Sequence, residues 1–195
     1  VQPEIFPDYI GVTVPVNIAP LNFMMEGVED IQATFSVGGE EMATVCGSDG
    51  VVDIAVDEWQ KMTSKAAGKT IEVEVSVWND ENPEGIRYKS FEIYVSKDEI
   101  DPWIAYRLIE PGYESWRYMG IYQREIASFE EVEIVGNETT KSACVNCHHF
   151  HGRSAKRMMF HARGGNGGTI FLDNGKTHKV KPAAKVVYTA WPPEG

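Results

Sequence analysis

Ile71-Glu72-Val73-Glu74-Val75-Ser76-Val77 alternates apolar and polar side chains without interruption. In an extended chain, that period of two sends one set of side chains to a buried face and the other to water. Phe91-Glu92-Ile93-Tyr94-Val95 repeats the pattern. Further short apolar runs, bounded by Gly, Pro, Asn and Asp, predict strands at Gly11–Val16, Ile31–Val37, Glu41–Cys46 and Val51–Ala55. No helical stripe is long enough for a bundle. One short helix fits at Asp57–Ala67, with Asp57 as its cap and Gly68 as its terminator. The expected fold is all-β, with an immunoglobulin-like β-sandwich over residues 1–98.

A boundary is expected near Lys97-Asp98-Glu99-Ile100-Asp101-Pro102, where charge clusters before a proline. Residues 99–195 then form a smaller β-meander region. Its expected strands are Trp103–Leu108, Met119–Ile126 and Glu131–Val135, then Met158–Ala162, Thr169–Leu172 and Thr177–Val180. Ser128-Phe129-Glu130 connects one pair, Asp173-Asn174-Gly175 supplies a hairpin turn to another, and Pro111-Gly112 marks a further turn.

Within this second region lies Cys144-Val145-Asn146-Cys147-His148. Cys-x-x-Cys-His is the spacing of c-type haem attachment. Two thiols, expected one turn apart, add to the haem vinyl groups, and the adjacent histidine ligates the iron. The same residues allow other readings. Cys144 and Cys147 could pair as a disulfide. They could also share a zinc ion with two of the nearby histidines, although His148, His149, His151, His161 and His178 lack finger spacing. A thioredoxin-type redox pair lacks its βαβ surroundings. The remaining thiol, Cys46, is read as a small buried group in a strand.

With haem, His148 is the proximal ligand, and Met158, Met159 and His161 are candidates for the sixth position. On a strand, Met159 and His161 share one face while Met158 and Phe160 share the other. Arg153, Arg157 and Arg163 are candidates for the two propionates, because the guanidinium fork suits a carboxylate. A haem peroxidase would need an open iron position and a distal acid–base group, which His161 or Arg163 could supply. Gly164–Gly168 lacks the strand-to-helix setting of a phosphate loop.

Charge divides along the same line. Residues 1–140 hold 9 Lys/Arg against 27 Asp/Glu, a balance of −18, whereas residues 141–195 hold 9 against 2, a balance of +7. The acidic majority argues against nucleic acid as a partner. No apolar run approaches the roughly 20 residues of a spanning helix.

Several segments together resemble Bacteroidetes-type envelope proteins that combine TolB-like propeller repeats with a CxxCH site. They are Ile5-Phe6-Pro7-Asp8-Tyr9, Asn17–Phe23, Tyr106–Tyr113, Met119–Arg124, the Cys-Val-Asn-Cys-His motif and Phe160-His161-Ala162-Arg163-Gly164. Trp191-Pro192-Pro193-Glu194-Gly195 resembles the opening of a further blade. The resemblance implies export to the periplasm or cell envelope, a haem c site, and a β-rich module leading into the first blades of a propeller. The expected function is electron transfer with a redox or envelope protein partner. The alternative is a non-enzymatic interaction module whose Cys/His cluster holds zinc or a disulfide.

Overall fold

The structure is a computed structural model that describes residues 1–109, 111, 118–164, 167–181 and 188–192. It divides into two compact units. Unit 1 is Val1–Trp103 with Glu125–Phe129, and unit 2 is Ile104–Arg124 with Glu130–Gly195.

Unit 1 contains β1 (Thr13–Val14), β2 (Phe23–Met24), β3 (Asp30–Val37), β4 (Glu40–Ser48), β5 (Val51–Val52), α1 (Val56–Ala66), β6 (Lys69–Asn79), β7 (Asn82–Arg87) and β8 (Phe91–Val95). Its main sheet runs β1-β8-β6-β3-β4, with β7 also pairing β6; β2 and β5 form a separate pair. The alternation in β6 explains why this strand is central. Ile71, Val73, Val75 and Val77 are all essentially fully buried. Cross-strand register lines them up with their neighbours: Val37–Ile71–Ile93 in one row, Phe35–Val73–Phe91 in the next. Such rows are the unit of sheet stabilisation, and each fully buried side chain contributes roughly 1.5–3 kcal/mol over exposure.

The same core holds Trp59, Met62 and Ala66 of α1 with Phe23 and Val52 of the small pair. Trp59 is fully buried, and its indole N–H donates to the Ile18 carbonyl oxygen at 3.0 Å. The cap of α1 is Ala55, not Asp57, and no side chain closes the helix start. Asp57 lies inside the first turn instead. There it suits the helix dipole and pairs with Lys61 at 3.2 Å, which lowers its pKa. Gly68 does terminate the helix, at φ +75°, with its N–H donating to Val95 O at 2.8 Å.

Cys46 is exposed, contrary to the expectation of a buried thiol. The inward set of β3 is Ile31, Ala33, Phe35 and Val37, and Cys46 lies opposite Gln32, on the wet face of edge strand β4.

Unit 2 is two antiparallel meanders. β9 (Trp103–Leu108), β10 (Gly120–Glu125) and β11 (Glu131–Gly136) order as β11-β10-β9. β12 (Val145–Phe150), β13 (Arg157–Ala162), β14 (Gly168–Asp173) and β15 (Lys176–Val180) follow in sequence order, with a 3-10 turn at His151–Arg153 after β12. Asn174 and Gly175 both have positive φ, as the two-residue turn between β14 and β15 requires. The core is small: Met119, Val145 and Ala162, with Cys144, Val135, Phe160 and Ile170 against them. Gly112 of the Pro111-Gly112 turn and the Pro193–Gly195 end of the blade-like segment lie outside the described residues.

The Glu125–Phe129 stretch links β10 to β11 but belongs to unit 1. Ala19 N–H donates to Ile126 O (2.7 Å), and Ile126 N–H donates to Pro102 O (2.8 Å).

No helix among the described residues is long and apolar enough to cross a membrane.

Candidate functional site

The Cys-x-x-Cys-His segment lies on β12, an edge strand, and not on a turn of helix. Cys144 opens the ladder, its carbonyl oxygen accepting the Arg163 N–H at 2.9 Å. Val145 then faces Ala162, and Asn146 faces His161. Register shifts at this point, and pairing resumes with His149 opposite Met159 and Phe150 opposite Met158. Cys147 and His148 together therefore oppose Phe160, which is a β-bulge. Cys147 takes φ +56°, a left-handed conformation uncommon outside glycine and asparagine. Asn146 compensates locally, its Oδ1 accepting the Cys147 N–H at 2.8 Å. Both thiols are free and half-buried.

Directly opposed residues share a face of the sheet, so the register sorts the candidates. Asn146, His149, Met159, His161, Thr169 and Phe171 lie on one face. Phe150, Met158, Phe160 and Ile170 lie on the other. The His148 ring meets Phe150 edge-on at 6.3 Å and belongs to this second face. Met158 therefore shares the side of His148, while Met159 and His161 are on the reverse. His148 is half-buried, and its Nε2 is 3.3 Å from the carbonyl oxygen of Ala105 on β9.

His161 is buried, with Nδ1 3.1 Å from Thr169 Oγ1. Burial lowers its pKa from the ordinary value, and the nearby Arg163 charge adds to the effect. The fold thus favours neutral imidazole. Its contribution to stability is complete above the unfolded value of about 6.5 and is lost as pH falls through the lower folded value. Urea midpoints measured from about pH 7.5 to about pH 5 are expected to fall, and His161→Gln to flatten part of that slope. A slope unchanged by the substitution would assign the effect to other groups.

The three arginines do not converge. Arg157 opens β13 and Arg163 follows its end, so about 20 Å of strand separates them, too far for one pair of propionates. Arg157 is also committed elsewhere, to Asp173 at 3.5 Å and over the Trp191 ring at 4.9 Å. Arg153 is exposed at the end of the 3-10 turn. Arg163 alone sits beside a motif cysteine.

Among the described residues, no group of three or more His, Cys, Asp or Glu is placed to hold a metal ion. Asn146, Thr169 and Trp191 are participants that the motif did not announce. Asn146 could have been found by its short side chain preceding a strained position; nothing in the local pattern points to Trp191.

No protein-family model, curated protein or solved structure matches this chain.

Proposed function

We propose that the chain carries a covalent c-type haem at Cys144, Cys147 and His148 and transfers electrons in the cell envelope. The observation that carries this reading is Cys147 at φ +56°. A residue there for packing alone would be better as glycine, since a side chain in that region costs about 1–3 kcal/mol. A cysteine held there, free and beside a histidine equally outside the ladder, suits a chemical role.

The donor set fits the group. Bound haem supplies a one-electron iron centre with its own four nitrogens, so one imidazole and two thioethers suffice to hold it. Tetrahedral zinc would need four protein donors, which makes it the less favoured reading of the same residues. Cys144 and Cys147 would form the thioethers, and neither has to leave a disulfide first. His148 would exchange a long contact with Ala105 O for the metal. Met158 is the sixth-ligand candidate that the register favours, and Arg163 the propionate partner.

The wider resemblance belongs to the same proposal. In unit 1, the β2/β5 pair over β8-β6-β3-β4, with β1 parallel to β8, supports an immunoglobulin-like sandwich. In unit 2, the four-stranded meander β12–β15 supports a TolB-like propeller blade. Export and a redox or envelope protein partner follow from that reading.

The test is to express the exported protein in a host with active cytochrome c maturation. A mass gain of one haem that survives denaturation, with a c-type reduced spectrum, is expected. An unmodified mass without haem absorbance would reject the reading. Metal analysis and thiol titration would then decide between zinc and a disulfide in an interaction module.

A further inference from the structure

We infer that Trp191 is a positioning residue for the Cys/His segment, an inference that deepens the haem reading and rests on it for its redox consequence. The bulge leaves Cys147 and His148 without ladder partners on β13. The His148 ring has Ala105 O and Phe150 beside it, and the main chain of the bulge is restrained from either side of the gap. Upstream, the Asn146 side chain takes the Cys147 N–H. Downstream, Trp191 grips His149 twice: its main-chain N–H donates to His149 Nδ1 and its indole N–H donates to the His149 carbonyl oxygen, both at 3.2 Å.

Trp191 is itself seated from three further directions. Its ring meets Phe171 of β14 edge-on at 5.6 Å and His151 of the 3-10 turn at 5.3 Å. Arg157 of β13 lies over the ring at 4.9 Å, a cation–π distance, and is paired with Asp173. One residue thus ties the edge strand to β13, β14 and the turn that follows it. The two bonds fall on the residue next to His148, at the point where pairing resumes. A residue that only filled space would have no reason to direct its main-chain N–H and its indole N–H at one neighbour. The indole bond restrains the main chain that aims the His148 imidazole, and the second bond fixes the neighbouring His149 ring, so Trp191 acts on the iron ligand without touching it.

Amide hydrogen exchange on the full chain without haem gives the first reading. Trp191→Ala is expected to speed exchange of the Cys147–Phe150 amides about tenfold, the equivalent of one to two hydrogen bonds. Trp191→Phe keeps an aromatic ring and the main-chain donor but loses the indole N–H. It should give a smaller rise at the same amides while preserving global stability. Ile93→Val loosens the core of unit 1, to which neither Trp191 nor the Cys/His segment belongs, and should leave those amides unchanged. In haem-bearing protein, Trp191→Phe should shift the midpoint potential and Ile93→Val should not.

Equal acceleration in Trp191→Phe and Ile93→Val, or none in either tryptophan variant, would overturn the role. Local acceleration with an unmoved potential in haem-bearing protein would overturn the coupling to His148. If no haem is attached at all, the function proposed above fails, and the exchange measurement still judges the contact to the segment.

Discussion

Replacing Cys144 and Cys147 together with alanine is expected to abolish covalent haem in exported, matured protein, leaving intact mass equal to the polypeptide alone. Each single variant keeps one possible thioether and should retain a reduced yield. His148→Ala leaves both thiols and should still form thioethers, but its spectrum should lose the signature of iron ligated by that imidazole. The backbone adds an independent reading. In haem-free chain, Cys147→Gly relieves the left-handed strain and should raise stability by about 1 kcal/mol, while Cys144→Gly should not. A reduced yield of covalent haem from a chain made more stable would separate chemistry from packing at this position. Full haem retention in the double alanine variant would refute thioether attachment.

The largest loss of stability is expected at Trp59, far along the chain from the motif. Its side chain is fully buried in the unit 1 core, so Trp59→Ala should cost about 3–5 kcal/mol through lost burial and the cavity left behind. The Ile18 carbonyl oxygen would also lose its donor. Trp59→Phe preserves most of the apolar volume and should cost much less, about 0.5–1.5 kcal/mol beyond the packing change. Urea unfolding followed by far-ultraviolet circular dichroism measures both. Comparable losses in the two variants would mean that the hydrogen bond, rather than burial, governs the site.

Much of the strand order could be read from the sequence, because in unit 1 local pattern and burial agree. The β6 alternation, the inward set of β3 and the helix ended by Gly68 are all encoded at single-residue period, and all form. β2 and β7 were not visible. One is only Phe23–Met24, and the other carries Asn, Pro, Glu and Gly, which lack strand propensity. The site was legible in composition but not in shape. Cys-x-x-Cys-His suggested a turn, yet Val145–Phe150 is a strand whose period is broken by its own bulge. Periodicity could not decide between Met158, Met159 and His161, because the face of His148 depends on that extra residue. Trp191 was illegible because its partners come from Phe171, Arg157 and the turn after β12, none of which is its neighbour in sequence.

The placement of Glu125–Phe129 has a practical consequence for dissecting the molecule. The chain passes the division between the units three times, at 103/104, 124/125 and 129/130. A single cut therefore cannot release either unit whole. A fragment ending at Trp103 would carry Ala19 and Pro102 without Ile126, the residue that accepts from one and donates to the other. The complementary fragment would keep β10 and β11 but lose both main-chain bonds that Ile126 makes to Ala19 and Pro102. Protease nicking at 103/104 should accordingly leave the two pieces associated until denaturant is added. The chain thus joins its two units by three covalent crossings, and excising either one means cutting and rejoining rather than trimming at a single linker.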